Sequence, residues 1–207
     1  EAYIKAERGE PGTKGAEKLK DAAIERAEEL ISQKHLDELI SNGSYEDIHQ
    51  LIYEFLTSTK STTQKAEATR FKSLPEDTHE GVALALRELL YGERSYPIRF
   101  DSFVAALDME SGATWPLATL LQALVYPADH LFVKPTFFKK QALILDIDPK
   151  YDTTPNATTY EQFLQAARRT MELLQEAGQR PRDLWDVHVF VCKTLSPKAI
   201  KAATGVE

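Results

Sequence analysis

The sequence predicts an all-α fold, a multi-helix body with an N-terminal helical arm. Three observations carry that expectation. Apolar residues recur three and four positions apart over most of the chain, most clearly at Tyr160, Phe163, Leu164, Ala167, Met171 and Leu174. The periodic segments are bounded by hydroxyl residues and prolines at their starts and by glycines at their ends. Alternation of the strand type occurs only at Val187, Val189 and Val191, which admits a short strand near 187–191; the preceding Pro181 and the length of the segment favour a helix there as well.

In chain order, the Gly9 to Gly12 turn signal precedes a helical pattern from about Ala16 to Ile40, with a narrow stripe of Leu19, Ala23, Ala27, Leu30 and Ile31. Asn42 and Gly43 end it, since both accept the left-handed conformation of a helix terminus. Ser44 is placed to cap a second helix carrying Tyr45, Ile48, Leu51, Ile52 and Phe55. From Thr57 to Ser73 eight Ser or Thr residues fall among seventeen without apolar periodicity, so residues 58–74 read as a flexible connection. The compact domain, residues 75–207, then follows the arm of residues 1–57. Val82, Ala85, Leu86, Leu89 and Leu90 form a helix ended by Gly92, and Phe100, Phe103, Val104 and Leu107 a shorter one. Thr114 and Pro116 open the next helix, with Leu117, Leu120, Leu121 and Leu124 on it, and Pro127 stops it. Lys134 and Pro135 open another, closed by Asp148 and Pro149. The strongest pattern spans 159–177 and ends at Gly178. Pro181 then begins a segment so apolar, from Leu184 to Leu195, that a buried central helix is expected. Ser196 and Pro197 start a terminal helix ended by Gly205.

Of 207 residues, 43% are hydrophobic, enough to build a core, and the formal charge is -7. Five of those seven excess negative charges lie in the first fifty residues, so the acidity belongs to the arm and argues against the arm gripping nucleic acid. The single cysteine, Cys192, excludes an internal disulfide, and no apolar run approaches the roughly 18 residues of a membrane span. A cytoplasmic protein without membrane association is expected. No signal peptide opens the sequence; because it starts at Glu1 rather than methionine, a longer amino terminus stays open.

Nine glycines fall in neither GxGxxG nor GxxxxGK[ST] spacing, and HExxH and GxSxG are missing, so nucleotide and common hydrolase chemistry are not expected, nor is a cofactor. Glu46 and His49 have the i, i+3 spacing that helical di-iron proteins use twice, but a second Glu-x-x-His is missing. The reading is two polar residues on the exposed side of a helix, and no metal. Arg182, Asp183, Trp185, Asp186 and His188 form the densest polar cluster and are the candidate binding residues; an ion-pair patch at a positive helix terminus is the structural account of the carboxylates. Cys192 stands four residues after His188, a spacing that can activate a thiol, within a segment where cysteine is ordinarily packing. Lys60, Lys65, Arg70, Lys72 and Arg180 are the candidate nucleic-acid contacts.

Residues 115–192 resemble an uncharacterised bacterial helical region that occurs alone or beside AAA-type ATPases of modification-dependent restriction systems. The resemblance rests on the run from Trp115 to Leu121, on Pro127, His130, Phe132, Lys134 and Pro135, on Tyr160 and Glu161, and on the run from Pro181 to Val187 with Phe190. That region tends to carry Gln where His188 stands and Trp where Cys192 stands. The resemblance implies a bacterial accessory or recognition module linked to foreign-DNA handling, and supplies no catalytic residues. The expectation is therefore a non-enzymatic interaction module with a protein partner or self-association seated on the arm's apolar stripe. A DNA-binding accessory of a defence system is the alternative.

Overall fold

A computed structural model of the protein describes residues 14–58, 62–107 and 113–204. Among these residues every regular element is helical and no strand occurs, so the fold is all-α.

The expected first helix is two. α1 (Lys14–Leu30) and α2 (Gln33–Ser41) are separated at Ile31 and Ser32. Ser32 leaves the helical region at φ -56°, ψ 150°, and its hydroxyl accepts from the His35 amide, capping α2. Gly43 lies at φ +69° while Asn42 stays right-handed, and the Ser44 and Gly43 amides reach back to the Leu39 and Ile40 carbonyls. Only glycine adopts this left-handed C′ position without a Cβ penalty. α3 (Tyr45–Ser58) follows.

The segment expected to be a flexible connection is corrected in its larger part: Thr62–Lys72 is a helix, α4. Its buried face is Glu67, Ala68 and Phe71, with Leu74 buried beyond its end. Thr114 donates to the Glu67 carboxylate. These buried contacts at helical spacing outweigh the poor helix propensity of a Ser/Thr-rich run.

A 3-10 turn at Glu76–Thr78 leads into α5 (His79–Tyr91), then α6 (Tyr96–Leu107), α7 (Trp115–Val125), α8 (Pro135–Ile144), α9 (Ala157–Glu176), α10 (Leu184–Thr194) and α11 (Pro197–Thr204). Thr114 caps α7 by accepting from the Leu117 amide, and Asn156 caps α9 by accepting from Thr159. Gly178, at φ +78°, ends the α9 terminus. The expected start of α10 at Pro181 moves to Leu184, because Asp183 takes the cap.

The central helix is α7, not α10. Trp115, Leu117, Ala118, Leu120, Leu121, Ala123 and Leu124 are all buried, and α1, α4, α5 and α6 pack around the helix. α10 buries one face, Leu184, Val187, His188 and Val191, and leaves Val189, Phe190 and Cys192 half-buried. The 187–191 segment is helical throughout, so the strand reading falls. Between α7 and α8 the irregular run Leu131, Phe132 and Val133 is fully interior, and side chains satisfy its backbone. Leu131 N–H donates to the Tyr160 hydroxyl, Val133 N–H to Thr119 Oγ1, and the Phe132 carbonyl accepts from His188 Nδ1.

Ala27, Ile31, Leu36, Ile48, Ile52 and Phe55 of the arm belong to the same buried cluster as the body's Leu86, Phe100, Trp115 and Phe163. The expectation that a partner covers the arm's stripe is corrected accordingly: from Ala27 onward the stripe is occupied by the protein's own core.

Candidate functional site

The cluster at Arg182 to His188 is assembled as the ion-pair account requires. Asp183 Oδ1 accepts from the Asp186 amide (3.0 Å) as the α10 N-cap, and Asp186 Oδ2 accepts from the Arg182 amide (2.8 Å). Arg182 also lies 3.6 Å from Asp21 of α1, which ties arm to body. Two carboxylates at a helix N-terminus meet its exposed amides and its positive dipole end. Trp185 stacks on Phe132 at 5.6 Å. Trp185 and His188 thus hold α10 against Phe132, while Arg182, Asp183 and Asp186 build the start of that helix.

His188 is buried and donates from Nδ1 to the Phe132 carbonyl at 2.7 Å, which leaves its Nε2 lone pair facing Cys192 Sγ at 3.5 Å. Burial pushes the His188 imidazole down to about 3 and the Cys192 thiol up to about 11. The pair therefore rests as neutral imidazole and protonated thiol, the opposite of the charged pair a cysteine nucleophile needs. A disulfide reagent at pH 7.5 is expected to label Cys192 in the folded protein far more slowly than in denaturant; equal rates would show that the thiolate forms in the fold.

Of the basic candidates, Arg70 and Lys72 occupy the last turn of α4, where cations complement the helix dipole, and the Lys72 ammonium lies 4.9 Å from the Tyr53 ring centroid. Arg180 is exposed in the loop between α9 and α10, and Lys65 is on α4. Lys60 lies outside the described residues.

The arrangement with the clearest chemical potential joins Glu46 and His49 to a residue that no helical spacing connects with them. His49 is 7% exposed, not on the solvated side of α3, and its ring stacks on that of His79, the first residue of α5, at 3.8 Å and 12°. Phe71 of α4 stacks on the other side of His49 at 4.8 Å. His79 is 6% exposed. Each imidazole points Nε2 at a backbone carbonyl, His49 at Phe71 (2.9 Å) and His79 at Leu74 (3.2 Å). Since carbonyls only accept, each Nε2 carries the proton. Both Nδ1 atoms then face Glu46, whose Oε2 is 2.7 Å from His79 Nδ1 and whose Oε1 is 4.0 Å from His49 Nδ1. The Glu46 carboxylate is itself 67% exposed, so the group opens to solvent on that side. Burial lowers the basicity of His49. His79 stands thirty residues after His49, and no sequence spacing links them; α4, the segment that reads as a connection, is what folds them together.

Among the described residues no helix is long and apolar enough to cross a membrane. Compared with known proteins, the chain matches no family model, no curated protein and no solved structure.

Proposed function

We propose that the protein is a non-enzymatic helical interaction module that works in the cytoplasm by self-association. The observation that carries this reading is the end of α8. Leu143 and Ile144 are adjacent, large and aliphatic, and stand 64% and 63% exposed, on a helix that Phe138, Gln141 and Ala142 anchor firmly to the core. Gln141 donates to Thr170 Oγ1 of α9, and Leu173, one turn further along α9, is also exposed. Burying an aliphatic side chain is worth about 1.5–3 kcal/mol, so a symmetric contact that covers this pair on two copies gains several such contributions. The engagement of Asp183, Asp186, His188 and Cys192 in packing and capping supports the non-enzymatic part. The resemblance of residues 115–192 supports reading such a module as a bacterial accessory protein of a defence system.

Light scattering on the eluting protein tests the reading. The wild type is expected to gain mass with concentration, and a variant carrying Leu143→Lys and Ile144→Lys to remain monomeric with its melting temperature nearly unchanged, since exposed substitutions of this kind shift stability by roughly 0.5 kcal/mol or less. A wild type that stays monomeric at all concentrations counts against it. Retention on DNA at low salt that fails at moderate salt would instead favour the DNA-binding accessory.

A further inference from the structure

We infer that Glu46, His49 and His79 form a mononuclear site for a zinc-class divalent ion that clips α3 to the start of α5. The argument begins with the hydrogen bonds behind the two rings. A histidine that ligates a metal through one nitrogen ordinarily donates the other N–H to a carbonyl or carboxylate, which fixes its tautomer and its aim. Both rings do so here, to Phe71 and Leu74, and both leave Nδ1 turned to one carboxylate.

A simple ion pair explains half of this. A proton on His79 Nδ1 would account for the 2.7 Å approach of Glu46 Oε2. It leaves His49 Nδ1 buried with no hydrogen-bond partner, its lone pair 4.0 Å from Glu46 Oε1. Two acceptors facing each other repel, and the orphaned buried one, His49 Nδ1, costs about 1–3 kcal/mol on its own. A cation between the three groups satisfies Nδ1 of both imidazoles and the carboxylate together.

Size and donor chemistry agree. The ligand atoms lie within 4.8 Å of one another. Zinc bonds to nitrogen and carboxylate oxygen of about 2.0–2.2 Å bring tetrahedral neighbours to roughly 3.4 Å; to reach this the exposed Glu46 side chain shifts and the two imidazoles, stacked at 12°, splay so that their Nδ1 lone pairs converge. Two imidazoles and one carboxylate favour zinc and its neighbours over magnesium or calcium, which take oxygen sets. Three protein ligands with an open side toward solvent leave a fourth position for water. The ion would join α3 to the start of α5, so its effect is read as stability of the whole chain.

The test uses the full chain stripped with chelator and titrated with zinc chloride by calorimetry, with cobalt as a spectroscopic probe. Expected are saturable uptake of one ion per chain, the strong visible absorption of four-coordinate cobalt, and a thermal midpoint raised by about 5 °C or more at a hundredfold excess over Kd. Glu46→Gln, on an exposed carboxylate, is expected to weaken zinc binding about tenfold or more. His49→Gln keeps a donor where Nε2 meets the Phe71 carbonyl but has no Nδ1, and is expected to abolish saturable binding; His79→Gln should do the same. Absence of saturable uptake by the wild type overturns the assignment, and so does wild-type affinity in Glu46→Gln or His49→Gln. Should His79→Gln fail to fold, the other two variants and the cobalt spectrum decide. None of these outcomes depends on the oligomeric state.

Discussion

Lowering the pH from 7 to about 4.5 is expected to remove a large part of the protein's stability, through His188 and His130. Burial is the leading cause in both cases, holding His188 at about 3 and His130 at about 4. In the unfolded chain each imidazole titrates near 6.5, so below that pH the unfolded state binds protons that the folded state refuses. Stability is then full above pH 6.5 and falls as the pH drops toward the folded values. Each histidine contributes on the order of 2 kcal/mol of loss by pH 4.5. Typical domains hold about 5–15 kcal/mol in all.

The hydrogen bonds explain why neither ring accepts a second proton readily. The Tyr160 hydroxyl accepts the Leu131 amide (2.9 Å) and lies 3.2 Å from His130 Nδ1, a neutral partner that offsets little of the cost of burying an imidazolium. In His188, Nδ1 is committed to the Phe132 carbonyl and Nε2 is enclosed beside Cys192. Chemical denaturation at pH 7.0, 5.5 and 4.5 measures the slope. His188→Asn keeps a donor at the Nδ1 position without a titrating group, and its profile is expected to be flatter than that of the wild type by about one proton. Parallel profiles would mean that His188 contributes nothing to the acid response.

Trp115→Ala is expected to cost about 3–5 kcal/mol, the usual range for deleting a large aromatic from a packed core. At this chain length that corresponds to a fall in melting temperature of roughly 6 to 20 °C. Trp115 is 2% exposed at the first position of α7, the helix on which the arm and the body both pack. Its ring meets Phe163 edge-on at 5.4 Å and Phe100 at 6.5 Å, and its Nε1–H donates to the Asp152 carbonyl at 3.0 Å. Truncation therefore leaves a cavity among rigid aromatics and frees the 149–156 loop from α7. Trp115→Phe, which loses the hydrogen bond and part of the volume, should fall between the two. A thermal scan in which Trp115→Ala melts within 2 °C or so of the wild type would show that this end of α7 is not central to the core.

The helices themselves were legible wherever local chemistry decides them. The periodicity of Tyr160, Phe163, Leu164 and Ala167, the cap at Thr114 and the terminators Gly43 and Gly178 are all properties of neighbouring residues, and each element stands within a few residues of its expected place. The misses share a cause. α4 is a helix because Ala68 and Phe71 bury against α3 and α7 while Glu67 meets Thr114, contacts made with residues distant in the chain. The single long N-terminal helix breaks at Ser32, where leaving the helix lets α2 fold back against α5. α10 is apolar nearly all round, yet only one face is interior, because composition counts apolar residues without saying which side a neighbour covers.

The candidate site divides in the same way. Glu46 and His49 were visible as a pair, since i, i+3 spacing on a helix is a local fact. Their burial, the tautomers fixed by Phe71 and Leu74, and the arrival of His79 against them are tertiary facts, set by how α4 and its following turn return the chain to α3. The sequence alone determined the all-α class, most helix boundaries and an acidic amino-terminal quarter, because propensity, capping and period act over a few residues. Only the tertiary structure decided that the arm is part of the core and that two stacked imidazoles share one carboxylate, because those contacts depend on chain reversal across tens of residues that no local pattern encodes.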